Sequence, residues 1–385
     1  MRRDKKIIFL FNCPFLESYV NKYCLWELPS LGYFVSILDL SRVLEPEYNK
    51  STSAEISDDV RFEIFIMESY HQIEEYIQKN KTDTIFFPMF DYIYSARKVF
   101  SLFTKYNINY IYVNGLLSPL FAPSGRENKI RINIKTLSIS HLRGVFFHRI
   151  VRKISTHKQA KSIFFCGEKA EDFYFSEGAC GKDTKRKYLY SFDYENLIQT
   201  NPYDNSGRNY CVFIDQYIPY HPDNIVHKKI IINPDIYYGE LESILNVIGQ
   251  KLNLDIIIAC HPQANYDDKK YFQNYKIEYG QTASLVKNAD IICTHFSTAG
   301  IYAVMLKKPL ILLNLNILHS VQLFQNAFRS ISDSTGAKII EDINQVSKSD
   351  LTCIDFEKYS KCMIENIARC CPDGRYLWER VMELI

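Results

Sequence analysis

The chain has 385 residues, of which 47% are hydrophobic and 23% charged, with a formal net charge of +2. That length exceeds one ordinary hydrophobic core and predicts two domains of about 150–200 residues each, while the balanced charge argues against both a disordered chain and a nucleic-acid-coating protein. Of the eleven cysteines, Cys13, Cys166, Cys211, Cys260 and Cys293 lie in or beside apolar runs and no CxxC pair occurs. They read as small hydrophobes of a reduced, cytosolic protein rather than as a disulfide framework.

The first apolar run, "KIIFLFN" at 6–12, follows a basic start and is interrupted by Asn12. It predicts a β-strand, not a signal peptide, and no window approaches the ~18 uncharged apolar residues of a membrane-crossing helix. Further strands are expected at 33–41, 62–68, 83–90, 109–115 and 161–167, with amphipathic helices at 71–80 and 95–107 and a long helical stretch near 141–160. Short apolar runs alternating with helices predict a parallel sheet covered on both faces. The polar stretch "SFDYENLIQTNPYDNSGRN" at 191–209 reads as a linker. The rhythm then restarts with strands expected at 210–215, 229–234, 254–260, 289–295 and 309–314, and 355–385 carries apolar positions at helical spacing.

The expected architecture is therefore α/β: two Rossmann-like, doubly wound parallel-sheet domains with a cleft between them. The N-terminal domain spans 1–195, the second 208–350, and C-terminal helices at 355–385 pack back across both. In such sheets ligands bind beyond the carboxyl ends of the strands. The polar residues that follow strands in the second half are Asp215-Gln216, His261-Pro262 and His295 through Thr298.

Strand "ADIICT" ends in a short turn before the helix-like "AGIYAVML", which puts Ser297 or Thr298 at a helix start. There a hydroxyl and unpaired backbone N–H groups form either an ordinary cap or an anion site suited to phosphate. His261 precedes a proline, which holds it extended, so its imidazole projects from a strand end, where it can donate to a phosphate or protonate a leaving group. A lone His-Pro is equally at home in a plain turn, as the second one, His221-Pro222, illustrates. Glu278 follows a short extended run and Thr282 is expected to cap the next helix; the carboxylate suits ribose hydroxyls or a solvated loop. Asp215 either lines a donor pocket with Gln216 or forms a turn at its strand end.

"FIDQ", "ACHPQ" and "YGQTASLVKNADIICTHFSTAGIYAVMLKKPLILLN" together resemble the C-terminal domain of GT-B glycosyltransferases. The resemblance is closest to the bacterial enzymes that use CMP-activated nonulosonic acids, the sialyltransferases and polysialyltransferases, with their His-Pro and Ser-Ser/Thr motifs. It covers roughly 210–315. It implies that His261, with Pro262, contacts the CMP phosphate and acts as an acid toward it. It implies that Ser297 and Thr298 bind the same phosphate and that Glu278 recognises the ribose. The acidic Asp/Glu-Asp/Glu-Gly motif of those enzymes is absent from the N-terminal half. The catalytic base is instead sought at Asp91, directly after the strand "TIFFPMF", with Glu17 second; either residue suits a helix N-terminus as well.

No GxxxxGK[ST], no GxGxxG after the first strand and no Asp-x-Asp after a strand are present, so no metal and no cofactor beyond the CMP-sugar substrate is expected. Between Asn128 and Gly167 there is no acidic residue but nine basic ones. This suggests peripheral contact through 129–161 with an anionic membrane carrying a lipid-linked glycan acceptor, or simply a solvated face; nucleic acid is not expected as a partner. The expectation is an inverting transferase building a surface glycan at the inner face of the plasma membrane. A UDP- or other NDP-sugar transferase or 2-epimerase, and a non-catalytic glycan-assembly partner, stand as alternatives.

Overall fold

The computed structural model describes residues 6–46, 62–118, 157–175, 180–221, 224, 230–267 and 269–385. The chain divides into two compact units. Of the described residues, one unit takes those up to Glu195 together with Ala368–Ile385, and the other takes Asn196–Ile367.

In the first unit, β1 (Lys6–Phe11), β2 (Phe34–Asp39), β3 (Phe62–Ile66) and β4 (Thr84–Pro88) pair in the order β3-β2-β1-β4. One parallel bridge from Phe86 to Tyr110 leads on to β5 (Ile111–Tyr112), β6 (Ser162–Phe165) and β7 (Lys185–Tyr188), ordered β5-β6-β7. All pairings are parallel. In central β1, Ile7, Ile8, Phe9, Leu10 and Phe11 are each at most 1% exposed, as a strand covered on both faces requires. The last helix, Leu377–Leu384, covers one face: Trp378 stands edge-on to Phe9 and Phe87, with ring centres 5.2 Å away in each case.

Among the described residues the second unit holds one six-stranded sheet. It contains β8 (Tyr210–Ile214), β9 (Asp255–Cys260), β10 (Lys276–Tyr279), β11 (Ile291–Thr294), β12 (Leu310–Leu313) and β13 (Lys338–Ile340), in the order β10-β9-β8-β11-β12-β13. All pairings are again parallel. Counted from its first strand the order is 3-2-1-4-5-6, so the winding reverses at β8. None of the five β8 residues is more than 3% exposed, and each such apolar side chain contributes about 1.5–3 kcal/mol of burial. Helix Pro234–Leu252 joins β8 to β9 and buries Tyr237, Tyr238, Leu241, Leu245, Ile248 and Leu252 along one stripe.

Several local expectations change. The run at 229–234 forms no strand over its described residues. Ile230 N–H goes to the Asn224 carbonyl at 2.8 Å, Ile231 is 89% exposed, and Asn233 caps the helix that Pro234 opens. A proline at the first helical position and an Asn cap before it outweigh three isoleucines without a strand neighbour. The stretch 191–209 holds helix Phe192–Gln199, and Thr282 is the first residue of helix Thr282–Asn288, not its cap. Strands β7 ("KRKY") and β13 ("KII") were not expected; an edge strand tolerates charge and shortness that hide it from hydrophobic patterning. Of the expected helix near 141–160, residues 141–156 lie outside the described residues.

Candidate functional site at the carboxyl edge of the second sheet

The register defines the site. Ile214, the last residue of β8, pairs with Ala259 on one side and Thr294 on the other. Asp215, Cys260 and His295 therefore leave the sheet at one level, with Gln216, His261 and Phe296 next. At about 4.8 Å between strands, the β9 and β11 ends stand about 10 Å apart on either side of β8. This is the place where an open parallel sheet leaves a crevice beyond its strand ends.

Asp215 is 2% exposed and turned inward. Its carboxylate accepts from Tyr217 N–H at 2.9 Å and from the Tyr266 hydroxyl at 2.8 Å, and also from the backbone N–H groups of His261 and Gln216. Burial raises its pKa, and these bonds pull it back down. One carboxylate thus ties the loop after β8 to the loop after β9. Tyr217, at a left-handed φ of 51°, makes the sharp turn that this requires.

His261 is partly exposed. Its Nδ1 accepts from Gln263 N–H at 3.2 Å, and its carbonyl accepts from Ala264 N–H at 2.8 Å. An accepting Nδ1 puts the proton of the neutral ring on Nε2, making that nitrogen the donor. The ring lies against His221, with centres 4.9 Å apart and planes at 65°.

Gln216 reaches across the reversal: its Oε1 accepts from Phe296 N–H at 2.7 Å, fastening the turn that carries Ser297. Ser297 caps a 3₁₀ turn, Thr298–Gly300, that runs into helix Ile301–Leu306, and its hydroxyl accepts from Ala299 N–H at 3.3 Å. His295 faces the opposite way. It is wholly buried, bonded to the Leu313 carbonyl and, at 2.8 Å, to the Tyr237 hydroxyl. Burial lowers its pKa to about 4, so it is a neutral strut between β11, β12 and the 234–252 helix.

Glu278 lies on outer strand β10, level with Ala259. It is held by the Tyr203 hydroxyl, by Lys276 at 3.5 Å and by Gln281 at 3.3 Å. The structure brings His261, Gln216, Ser297 and Thr298 to one edge and leaves Glu278 inside the outer strand. In the first unit, Asp91 follows β4, half-buried, and accepts from the Tyr112 hydroxyl; Glu17 is exposed ahead of helix Ser18–Lys22. Sequence reasoning missed His221 and Tyr266. The repeated His-Pro was a signal for the first; Tyr266 offered none.

No family model matches the chain, and no curated protein sequence matches it. Solved structures do. A histidine-to-asparagine variant of the wall teichoic acid polymerase TagF superposes with a TM-score of 0.52 at 11% identity, covering 96% of this chain and 86% of that one. The same variant soaked with CDPG gives 0.51 at 12% identity, over 94% and 83%. The fold is GT-B. A UDP-GlcNAc 2-epimerase from Methanocaldococcus jannaschii aligns over 98% of both chains at 14% identity with a TM-score of 0.47. At these identities the likeness is one of fold alone.

Among the described residues of this GT-B chain, no group of three or more His, Cys, Asp or Glu side chains is placed to hold a metal ion, and no helix is long and apolar enough to cross a membrane. Of the basic run at 129–161, residues 129–156 lie outside the described residues. Lys158 bonds the Asn107 carbonyl at 2.9 Å.

Proposed function

We propose that this GT-B chain is an inverting glycosyltransferase that moves a nonulosonic acid from a CMP-sugar to a surface-glycan acceptor. The observation that supports the reading is that His261 and Ser297 follow the two strands that flank β8, where the strand order reverses. A departing phosphate there meets an Nε2–H donor on one side and the Ser297 and Thr298 hydroxyls on the other. The acceptor hydroxyl attacks the anomeric carbon, the bond from that carbon to the phosphate oxygen breaks, and CMP leaves with the electron pair. Hydrogen bonds aimed at the oxygen where charge develops stabilise that step. A single phosphate leaves less charge to neutralise than a diphosphate, which suits a site of hydroxyls and imidazole. The acceptor proton goes to a carboxylate, and Asp91 is the residue we assign. Asp215 and Gln216 act by holding the loops, and Glu278 by ordering the outer strand. The acceptor is a glycan, free or lipid-linked, and the basic run at 129–161 suits work at an anionic membrane surface.

A second reading keeps the cytidine and lengthens the phosphate to a CDP-linked donor. It is favoured by the TagF structure soaked with CDPG.

The test is CMP release from a panel of CMP-sugars. His261→Ala is expected to lower turnover by at least about 100-fold, in the range of acid–base groups; turnover within about threefold of the parent excludes a leaving-group role. Stronger thermal stabilisation by CDP than by CMP selects the second reading.

A further inference from the structure

The chain contains two His-Pro pairs, and the loops of the second unit place their imidazoles side by side. We propose that His221 is a second phosphate-binding residue of the donor site, sharing one phosphate of the nucleotide with His261. This inference rests on the nucleotide-binding reading above and deepens it.

The juxtaposition is built. His221 comes six residues after Asp215 and His261 one residue after β9, and the single buried Asp215 carboxylate anchors both loops through Tyr217 N–H and His261 N–H. The β8 loop then closes on itself: Tyr220 N–H bonds the Tyr217 carbonyl at 2.9 Å, Asn224 N–H bonds the His221 carbonyl at 3.0 Å, and the buried Asn224 side chain bonds the Ile218 carbonyl at 3.1 Å. Tyr220, the residue before His221, lies 6.4 Å from Tyr238 with near-parallel rings, on the helix that joins β8 to β9. These contacts hold His221 at a defined place against His261, 4.9 Å between ring centres, with both rings partly exposed.

Charge and reach agree with an anion. The Lys269 ammonium sits 5.1 Å from the centre of the ring of Tyr220, the residue before His221. The anchoring carboxylate faces inward, its oxygens given to N–H groups and to Tyr266. Hydrogen bonds span about 2.7–3.2 Å, so two rings this close reach different oxygens of one tetrahedral phosphate. The Gln263 N–H on His261 Nδ1 fixes which edge of that ring turns outward.

The probes are CMP and cytidine, which differ only by the phosphate, read by titration calorimetry on the full chain. Parent protein is expected to bind CMP more tightly than cytidine. His221→Ala should weaken CMP at least tenfold while leaving cytidine within twofold, a result that also reports an intact fold; His261→Ala should do the same. Unchanged CMP affinity in His221→Ala, with CMP weakened in His261→Ala, overturns this inference alone. Equal losses for CMP and cytidine in His221→Ala overturn it too, because His221 then only shapes the loop. A parent protein that prefers neither ligand overturns the proposed function itself.

Discussion

The two units share a plan and differ at its edge. Both wind their strands outward from a central first strand, β1 in one and β8 in the other, with the second and third strands on one side and the fourth and later ones on the other. Beyond β1 and β4 the first unit packs rings: Phe11 lies 5.2 Å from Phe15 and 5.7 Å from Tyr19, and Phe90 and Tyr92 are each 3% exposed. Beyond β8, β9 and β11 the second unit presents imidazoles, an amide and hydroxyls, braced from below by Asp215 and His295. Similar winding thus supports an edge packed mainly with rings around Asp91 in one place and an edge of imidazoles, amide and hydroxyls in the other. Topology sets where an edge lies, and the loop residues set what it can do.

One buried group in each unit has its pKa moved in the opposite direction. In the first, Glu27 is fully buried beside Glu195 and accepts from Trp378 N–H at 2.8 Å. Burial first, and then the neighbouring carboxylate, raise its pKa to about 9. In the second, burial lowers His295 to about 4.

The largest expected effect comes from removing the brace. Asp215→Ala leaves several N–H groups and a tyrosine hydroxyl without their acceptor, each costing about 1–3 kcal/mol. It should cost at least about 3 kcal/mol of stability, seen as a clearly lower melting temperature, with nucleotide binding lost as well. A variant as stable as the parent would show that the loops after β8 and β9 do not depend on it.

Next comes the pH contrast, read by peptide-resolved hydrogen exchange. Glu27 has a raised folded pKa, so its contribution is complete below the ordinary carboxylate range and is lost as pH rises through about 9. Peptides around 23–31 and 376–384 should loosen at alkaline pH, and Glu27→Gln should flatten that response. His295 has a lowered folded pKa, so its contribution is complete above the ordinary imidazole value and is lost as pH falls from there through about 4. Peptides around 291–313 should loosen at acid pH. Parallel loosening of both regions at one end of the scale would break the comparison.

The smallest expected effect is Ser297→Ala. Losing one helix-start cap costs about 1 kcal/mol, a melting shift of a few degrees for a domain of this size, accompanied on our reading by weaker CMP binding. A cap alone would move the melting temperature and leave CMP untouched.

Much of this architecture is legible in the residues. Apolar runs such as "YCVFI", "DIIIAC" and "LILL" announce strands buried on both faces, and the alternation with helices announces a parallel sheet. "KRKY" at 185–188 is invisible to that logic because its edge position lets charge replace apolar side chains. "KIII" misleads because Asn233-Pro234 decides the local structure. At the strand ends, Gln216, His261, Ser297 and Thr298 could be picked out because a polar residue after a buried strand is uncommon without a reason. Which way each points could not. Asp215 and His295 follow strands in the same manner yet turn inward, a choice made by Tyr266, Tyr237 and Leu313, which lie far away in the sequence. The His221–His261 contact depends on two loops meeting, and spacing within either loop carries no trace of it.

The central claim is that a nucleotide phosphate sits between the β9 and β11 ends of the second unit. A crystal structure of the protein soaked with CMP tests it most directly. The phosphate is expected within hydrogen-bond distance of His261 and of the Ser297 or Thr298 hydroxyl. CMP bound at any other edge, with those side chains untouched, would contradict it.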